Sequence, residues 1–172
     1  AAVAKSFKAL GMDKAGIRLI GPGDITDDTQ LQSMGDAAVG LITTHHYHAN
    51  LDTPTNRAFV KAWTAEYGPK STPNFMAVQG YDGMAAIYHV IKSFGGKRIT
   101  AAGAMAALKG WKFNSPRGPI MIDPATRDIV QNEYISVVKA GKGGKLMQEV
   151  TSTFKAVKDQ CKALKVGKCA KK

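Results

Sequence analysis

Four consecutive residues, His45-His46-Tyr47-His48, form the densest run of reactive side chains in the sequence. On a strand, side chains alternate between faces, so His46 and His48 would share one face and offer a two-histidine metal clip, with Asp24 or Asp52 as a third ligand. Histidines at the mouth of a polar cleft are the plainer reading, and no metal is assigned. Asp24 follows a Gly21-Pro22-Gly23 turn at the end of a short apolar run. An acidic residue at the C-terminal edge of a strand suits an ammonium or a phenolic hydroxyl, because ligands of open sheets bind there. With Asp27 and Asp28 close behind, Asp24 equally suits turn formation or helix capping.

Signatures of catalysis are missing. There is no Gly-x-Ser-x-Gly elbow, no phosphate loop and no Gly-x-Gly-x-x-Gly. Gly21-Pro22-Gly23 follows a strand, but its proline removes an amide donor and the later glycine is absent. The expectation is a protein that is not an enzyme and holds no cofactor.

The elements that must position these residues are punctuated clearly. Val3, Phe7 and Leu10 share a helical face that Gly11 ends. Ile17 to Ile20 reads as a buried strand. Thr26 or Asp27 caps a helix running to Met34, and Ala38 to Thr44 is the next strand. Thr53-Pro54 is a cap followed by proline at the first helical position, and this helix runs until Gly68-Pro69. A long helix from about Asn74 to Phe94 is stopped by Gly95-Gly96, and a third spans Thr100 to Leu108. Beyond Pro116-Arg117-Gly118 the period changes to that of strands: Pro119 to Ile122, Ile129 to Lys139 and, after a Gly141–Gly144 tip, Lys145 to Val150. Val150, Phe154, Val157, Cys161 and Leu164 have helical spacing, yet the same segment suits an extended path.

Composition narrows the class. The chain has 172 residues, 44% of them apolar and 22% charged, which is enough to build a core. No apolar run approaches the roughly 18 residues of a membrane span, so nothing reads as transmembrane. The net charge is +11, but from Val137 onward ten lysines face only Glu149 and Asp159, leaving +3 for everything before. The tail contains no arginine, the side chain that reads phosphate and guanine with a planar fork, so no nucleic-acid partner is expected. The two cysteines, Cys161 and Cys169, suit either a local disulfide in an oxidising compartment or two free thiols.

The order is therefore that of an α/β chain: the first part resembles the second half of a doubly wound sheet, and three helices follow with no strands of their own. Those helices need a sheet from elsewhere.

At this point several stretches resemble one family, the branched-chain amino-acid-binding type of periplasmic solute-binding protein, the receptor component of ABC importers. They are Gly21-Pro22-Gly23-Asp24 after its strand, Gly35 to Leu41, the helix Asn56 to Tyr67, Tyr81-Asp82-Gly83, and Ser115 to Asp123 with Arg127 to Asn132. The resemblance covers nearly everything from Ala1 to Val150, while the family's chains are considerably longer.

The resemblance implies part of a two-lobed type I periplasmic-binding fold, with doubly wound parallel sheets in hinged lobes. Residues 1–47 would belong to the second lobe, 48–117 to first-lobe helices, 118–150 to return strands of the second lobe, and 151–172 to a Lys-rich tail. Chain crossings between lobes would fall near Tyr47–Leu51 and Gly118–Asp123. The implied ligand contacts are Gly23, Asp24, Tyr47, Gln79 and Tyr81. Tyr47 suits a cleft wall or hinge packing, Tyr81 a ligand contact or the core, and Gln79 a ligand contact or solvent. The implied activity is capture of an amino acid, amide or aromatic acid in the periplasm for an ABC permease, with the missing N-terminal half supplying the rest of the site. A ligand-sensing domain of the same fold is the alternative, followed by a metal protein built on His46 and His48.

Overall fold

The computed structural model describes residues 2–165. Helix α1 spans Ala2–Ala9 and buries Ala4. Strand β1 is short, Ile20–Pro22, and leads into a tight helical turn over Gly23–Thr26. Helix α2 covers only Leu31–Met34, another tight turn takes Gly35–Ala38, and β2 is Ile42–His45. Helices α3 (Pro54–Tyr67), α4 (Phe75–Phe94) and α5 (Ala101–Leu108) follow. The chain then forms β3 (Lys112–Ser115), β4 (Gly118–Ile122), β5 (Ile129–Ala140), β6 (Leu146–Val157) and a short α6 (Gln160–Leu164).

The three long helices start where side-chain caps dictate. Thr53, Asn74 and Thr100 each accept a hydrogen bond from the backbone N–H three residues on, satisfying a donor that the first turn cannot. Pro54 adds a pre-set φ at the start of α3, and Gly95 closes α4 in the left-handed conformation that favours glycine.

Strand β5 is the backbone of the molecule. Ile129 and Val130 pair with β4, whereas Tyr134 to Val137 pair antiparallel with β2 and also with β6. β1 joins β2 in parallel, and β3 hangs from β4, giving the order β1-β2-β5-β4-β3. The same strand feeds both hydrophobic cores. Val138 packs with Ala4, Leu31, Met34, Ala38, Leu41 and Leu146, while Tyr134 packs with Tyr47, Leu51 and Val78.

Five sequence expectations need correction. The helix expected from a Thr26 or Asp27 cap to Met34 shrinks to Leu31–Met34 and has no side-chain cap, because Gly23–Thr26 forms a separate tight turn. The strand expected at Ile17 to Ile20 lies at Ile20–Pro22, on the edge of the sheet, and Ile17 and Ile20 are exposed. The segment after Met34 turns before it extends, so β2 starts at Ile42. β3 is an additional strand, and the β3–β4 hairpin gives the helical block some sheet of its own, tied to α3 by Asn114 Nδ2 donating to Thr55 Oγ1 at 3.1 Å. Finally, the segment past Val150 is extended to Val157 and helical only at Gln160–Leu164, because β5 offers it a ladder that local spacing cannot reveal. Cys169, and with it the Cys161–Cys169 pairing, lies outside the described residues.

The α4 face carrying Met84, Ile87, Tyr88 and Ile91 is open to solvent. Beside it runs an apolar groove of about 770 Å³ lined by Trp63, Tyr81, Met84, Tyr88, Trp111 and Phe113. Among the described residues, no helix is long and apolar enough to cross a membrane.

Candidate ligand-binding site

Because β1 and β2 are parallel and in register from Ile20↔Ile42 to Pro22↔Thr44, their C-terminal ends reach the same edge. Gly23 leaves β1 there and is buried against His45, the last residue of β2. A β-carbon on Gly23 would lie 2.2 to 2.6 Å from Cγ, Cβ and Cδ2 of His45, so only glycine admits this approach. The following turn is fixed by a buried polar knot. Thr26 Oγ1 donates to Gly23 O at 3.2 Å, and Gln148 on β6 donates its amide to Thr26 O at 2.8 Å. Asp24 rides on this turn, exposed, and its carboxylate has no hydrogen-bond partner among the described residues.

His45 Nδ1 lies 3.0 Å from the carbonyl oxygen of Tyr47. A carbonyl only accepts, so Nδ1 carries the proton and the ring is fixed. That ring meets Phe75 edge-on at 4.8 Å and His46 at 4.6 Å, and His46 meets Phe75 at 6.1 Å. Asn74 caps α4 and thereby sets the direction of its first turns, from which Phe75 and Gln79 project toward these histidines. Gln79 Nε2 bonds His46 Nε2 at 3.1 Å.

The two-histidine clip that strand alternation would allow His46 and His48 is not what their side chains form. Regular strand geometry ends at His45, so the alternation that would place both rings on one face stops one residue too early. His48 turns into the core, where its Nε2 lies 2.8 Å from Ser136 Oγ, while His46 turns toward α4. Among the described residues no three His, Cys, Asp or Glu side chains converge on a metal position. Burial, helped by the charge of neighbouring groups, holds His46 down to about 3 and His48 to about 4, so both rings are neutral at physiological pH.

The residues named from the sequence divide into two groups. Gly23 lies against His45 and Gln79 against His46, at a corner that Phe75 closes, and Asp24 follows Gly23 on the same turn. Tyr47 does not line it: the side chain is 1% exposed and its hydroxyl donates to Asn56 Oδ1 at 3.0 Å behind the site. Asn56 in turn donates to the carbonyls of Ala49 and Leu51, fastening the passage out of β2 to the start of α3. Tyr81 sits in the apolar groove instead, 5.1 Å from the Phe59 ring and 6.2 Å from Phe113.

Sequence reasoning had His45 only as one of several histidines at a cleft mouth, and missed Phe75 beside it and Arg117 as a support. Arg117 Nε donates to Asp82 Oδ2 at 2.7 Å, its Nη1 donates to Gln131, and its carbonyl accepts from Tyr134 OH at 2.8 Å. The turn between β3 and β4 is thereby tied to α4 and to β5. Burial pushes the Asp82 carboxyl upward, against the opposing pull of Ser115 and Arg117. Asp82 stood within a stretch that the sequence singled out, but its buried partner lies 35 residues away and leaves no local signal.

Comparison with known proteins gives the fold its relatives. The family described as "Periplasmic binding protein" matches residues 1–145. The chain is 39% identical over 150 residues to "Leu/Ile/Val-binding protein homolog 6" of Brucella abortus (strain 2308), covering 87% of this chain and 38% of that relative. A solute binding protein of an ABC transporter from Rhodopseudomonas palustris BisB5, solved in complex with 3,4-dihydroxy benzoic acid, superposes with a TM-score of 0.83 at 48% identity, over 92% of this chain and 43% of that one. A counterpart from Rhodopseudomonas palustris HaA2, in complex with p-hydroxybenzoic acid, gives 0.81 at 35% identity, over 88% and 41%. The chain thus spans less than half the length of these relatives, and its α/β fold is part of the type I periplasmic-binding architecture they share. With a match running through residues 1–145, the chain belongs to the periplasmic binding protein family.

Proposed function

We propose that the protein captures a small organic solute in the periplasm and delivers it to an ABC permease, without catalysing a reaction on it. The observation that carries this is the corner at the C-terminal edge of β1 and β2, where His45, a neutral His46 and Phe75 form an aromatic wall, at the edge where the exposed Asp24 follows Gly23. Open α/β sheets bind ligands at that edge. A flat aromatic acid fits such a wall better than a branched aliphatic side chain, because its ring gains from edge-to-face packing. The relatives solved with hydroxylated benzoic acids support the same class.

The reading includes a first lobe supplied from outside this chain. Its strands would cover the α4 face of Met84, Ile87, Tyr88 and Ile91, and its polar groups would meet the ligand's carboxylate. Residues 1–47 then form a second-lobe segment, and one crossing lies at Tyr47–Leu51. The later crossing we place at Gln131–Glu133 rather than at Gly118–Asp123. β4 pairs with β3 along its length but with β5 at only two positions, and the β5–β6 register slips between Gln131 and Glu133. Calorimetric titration of the complete two-lobed receptor tests the function. Saturable binding of an aromatic acid or amino acid is expected, and heat from neither class would refute it.

A further inference from the structure

We propose that His46 and Gln79 together read a hydroxyl group on the ring of a bound aromatic acid. The proposal rests on the solute-binding reading above and adds what separates one aromatic acid from another. An amide nitrogen only donates, so the 3.1 Å contact between Gln79 Nε2 and His46 Nε2 makes the imidazole nitrogen the acceptor. The ring proton then sits on His46 Nδ1. Among the described residues neither His46 Nδ1 nor Gln79 Oε1 has a partner, and neither atom is sealed from solvent.

The couple therefore presents one N–H and one carbonyl oxygen that need partners. A hydroxyl both accepts and donates, and so satisfies both. A carboxylate has no proton for the amide oxygen, an ammonium has no lone pair for the imidazole N–H, and an unsubstituted ring edge leaves both groups bare. A carboxamide meets the same two needs and is separated by experiment. The surroundings favour an aromatic hydroxyl: the His46 ring leans on His45 at 4.6 Å, and the Phe75 edge closes the corner at 4.8 Å from His45. Burial above all, with the nearby Arg117 guanidinium adding to it, keeps His46 neutral. An imidazolium would turn its acceptor nitrogen into a second donor and break the Gln79 contact.

The test is calorimetric titration of the complete two-lobed receptor, at neutral pH, with 4-hydroxybenzoate, benzoate, 4-carbamoylbenzoate and leucine. We expect wild type to hold 4-hydroxybenzoate about tenfold or more tighter than benzoate. Gln79→Leu and His46→Phe, each measured alone, should bring that ratio toward one. Gln79 is exposed, so its replacement leaves the packing intact. A ratio unchanged in Gln79→Leu, or a wild type preferring benzoate or the carboxamide, overturns the proposal. Binding of leucine alone overturns it and the choice of aromatic acids, while leaving solute capture standing. Binding of none overturns the proposed function itself.

Discussion

Asp82 on α4 and Arg117 in the β3–β4 turn form an ion pair at 2.7 Å in which each side chain is only 7% exposed. Two charges removed from water are tolerable together and costly apart. Replacing either one alone, as in Asp82→Leu or Arg117→Leu, should destabilise the protein by about 3–5 kcal/mol, because the survivor stays buried without its partner. The double replacement should recover most of that loss. Urea unfolding of the three variants measures both quantities. A single replacement costing less than about 1 kcal/mol would show that the pair behaves as a solvated one.

Gly23→Ala tests the contact that shapes the site. The new methyl group would collide with the His45 ring and its Cβ, and a Cβ cannot rotate away. The expected cost is about 1–3 kcal/mol of stability. Ligand affinity should fall with it, since His45 must leave its present packing against His46 and Phe75. Thermal unfolding and titration of the same preparation check the two effects together.

Acid should weaken the fold through its buried histidines. His46 and His48 are held at about 3 and about 4, below the ordinary 6.5, whereas Asp28 is pushed by burial from 3.8 to about 7. Between about pH 4 and 6.5 the unfolded chain takes up two histidine protons that the folded one refuses, while the folded chain keeps one Asp28 proton that the unfolded one releases. Net, the unfolded state binds one proton more, and these three groups make stability rise with pH by about 1.4 kcal/mol per pH unit. Asp28→Asn should add about the same again to the slope, and His48→Gln should remove it. Unfolding free energies measured across that range, wild type against each variant, decide the matter.

The uncovered α4 face makes a prediction about the 172-residue chain alone. Met84, Ile87, Tyr88 and Ile91 leave a contiguous apolar surface that monomeric proteins rarely expose. The isolated chain should bind a hydrophobic dye, self-associate or melt without cooperativity. A sharply melting monomer that ignores the dye would contradict the reading that a first lobe belongs there.

Much of this architecture was legible locally. The caps at Thr53, Asn74 and Thr100 fix where three helices start, and Gly95 fixes where the longest one stops, each through hydrogen bonds or φ values set within a few residues. The alternation along Ile129–Lys139 announced β5 for the same reason. Asp24 drew attention from its place after a strand, but Gly23 and Gln79 were candidates only through family resemblance, and nothing in the three neighbourhoods distinguishes a site from a turn or a solvated helix face.

What the tertiary structure decided was which side chains meet. The sequence by itself determined the α/β order, the limits of the three long helices and the kind of protein the chain resembles. It did not determine that β2 ends at His45 and sends His46 and His48 in different directions, that Tyr47 turns inward to Asn56, or that Arg117 finds Asp82. Caps and periodicity act over one helical turn or one strand pleat, whereas these contacts depend on the register of strands and the docking of helices far apart in the chain. A one-residue change in where a strand ends reverses the faces of everything beyond it, and no local pattern records that choice.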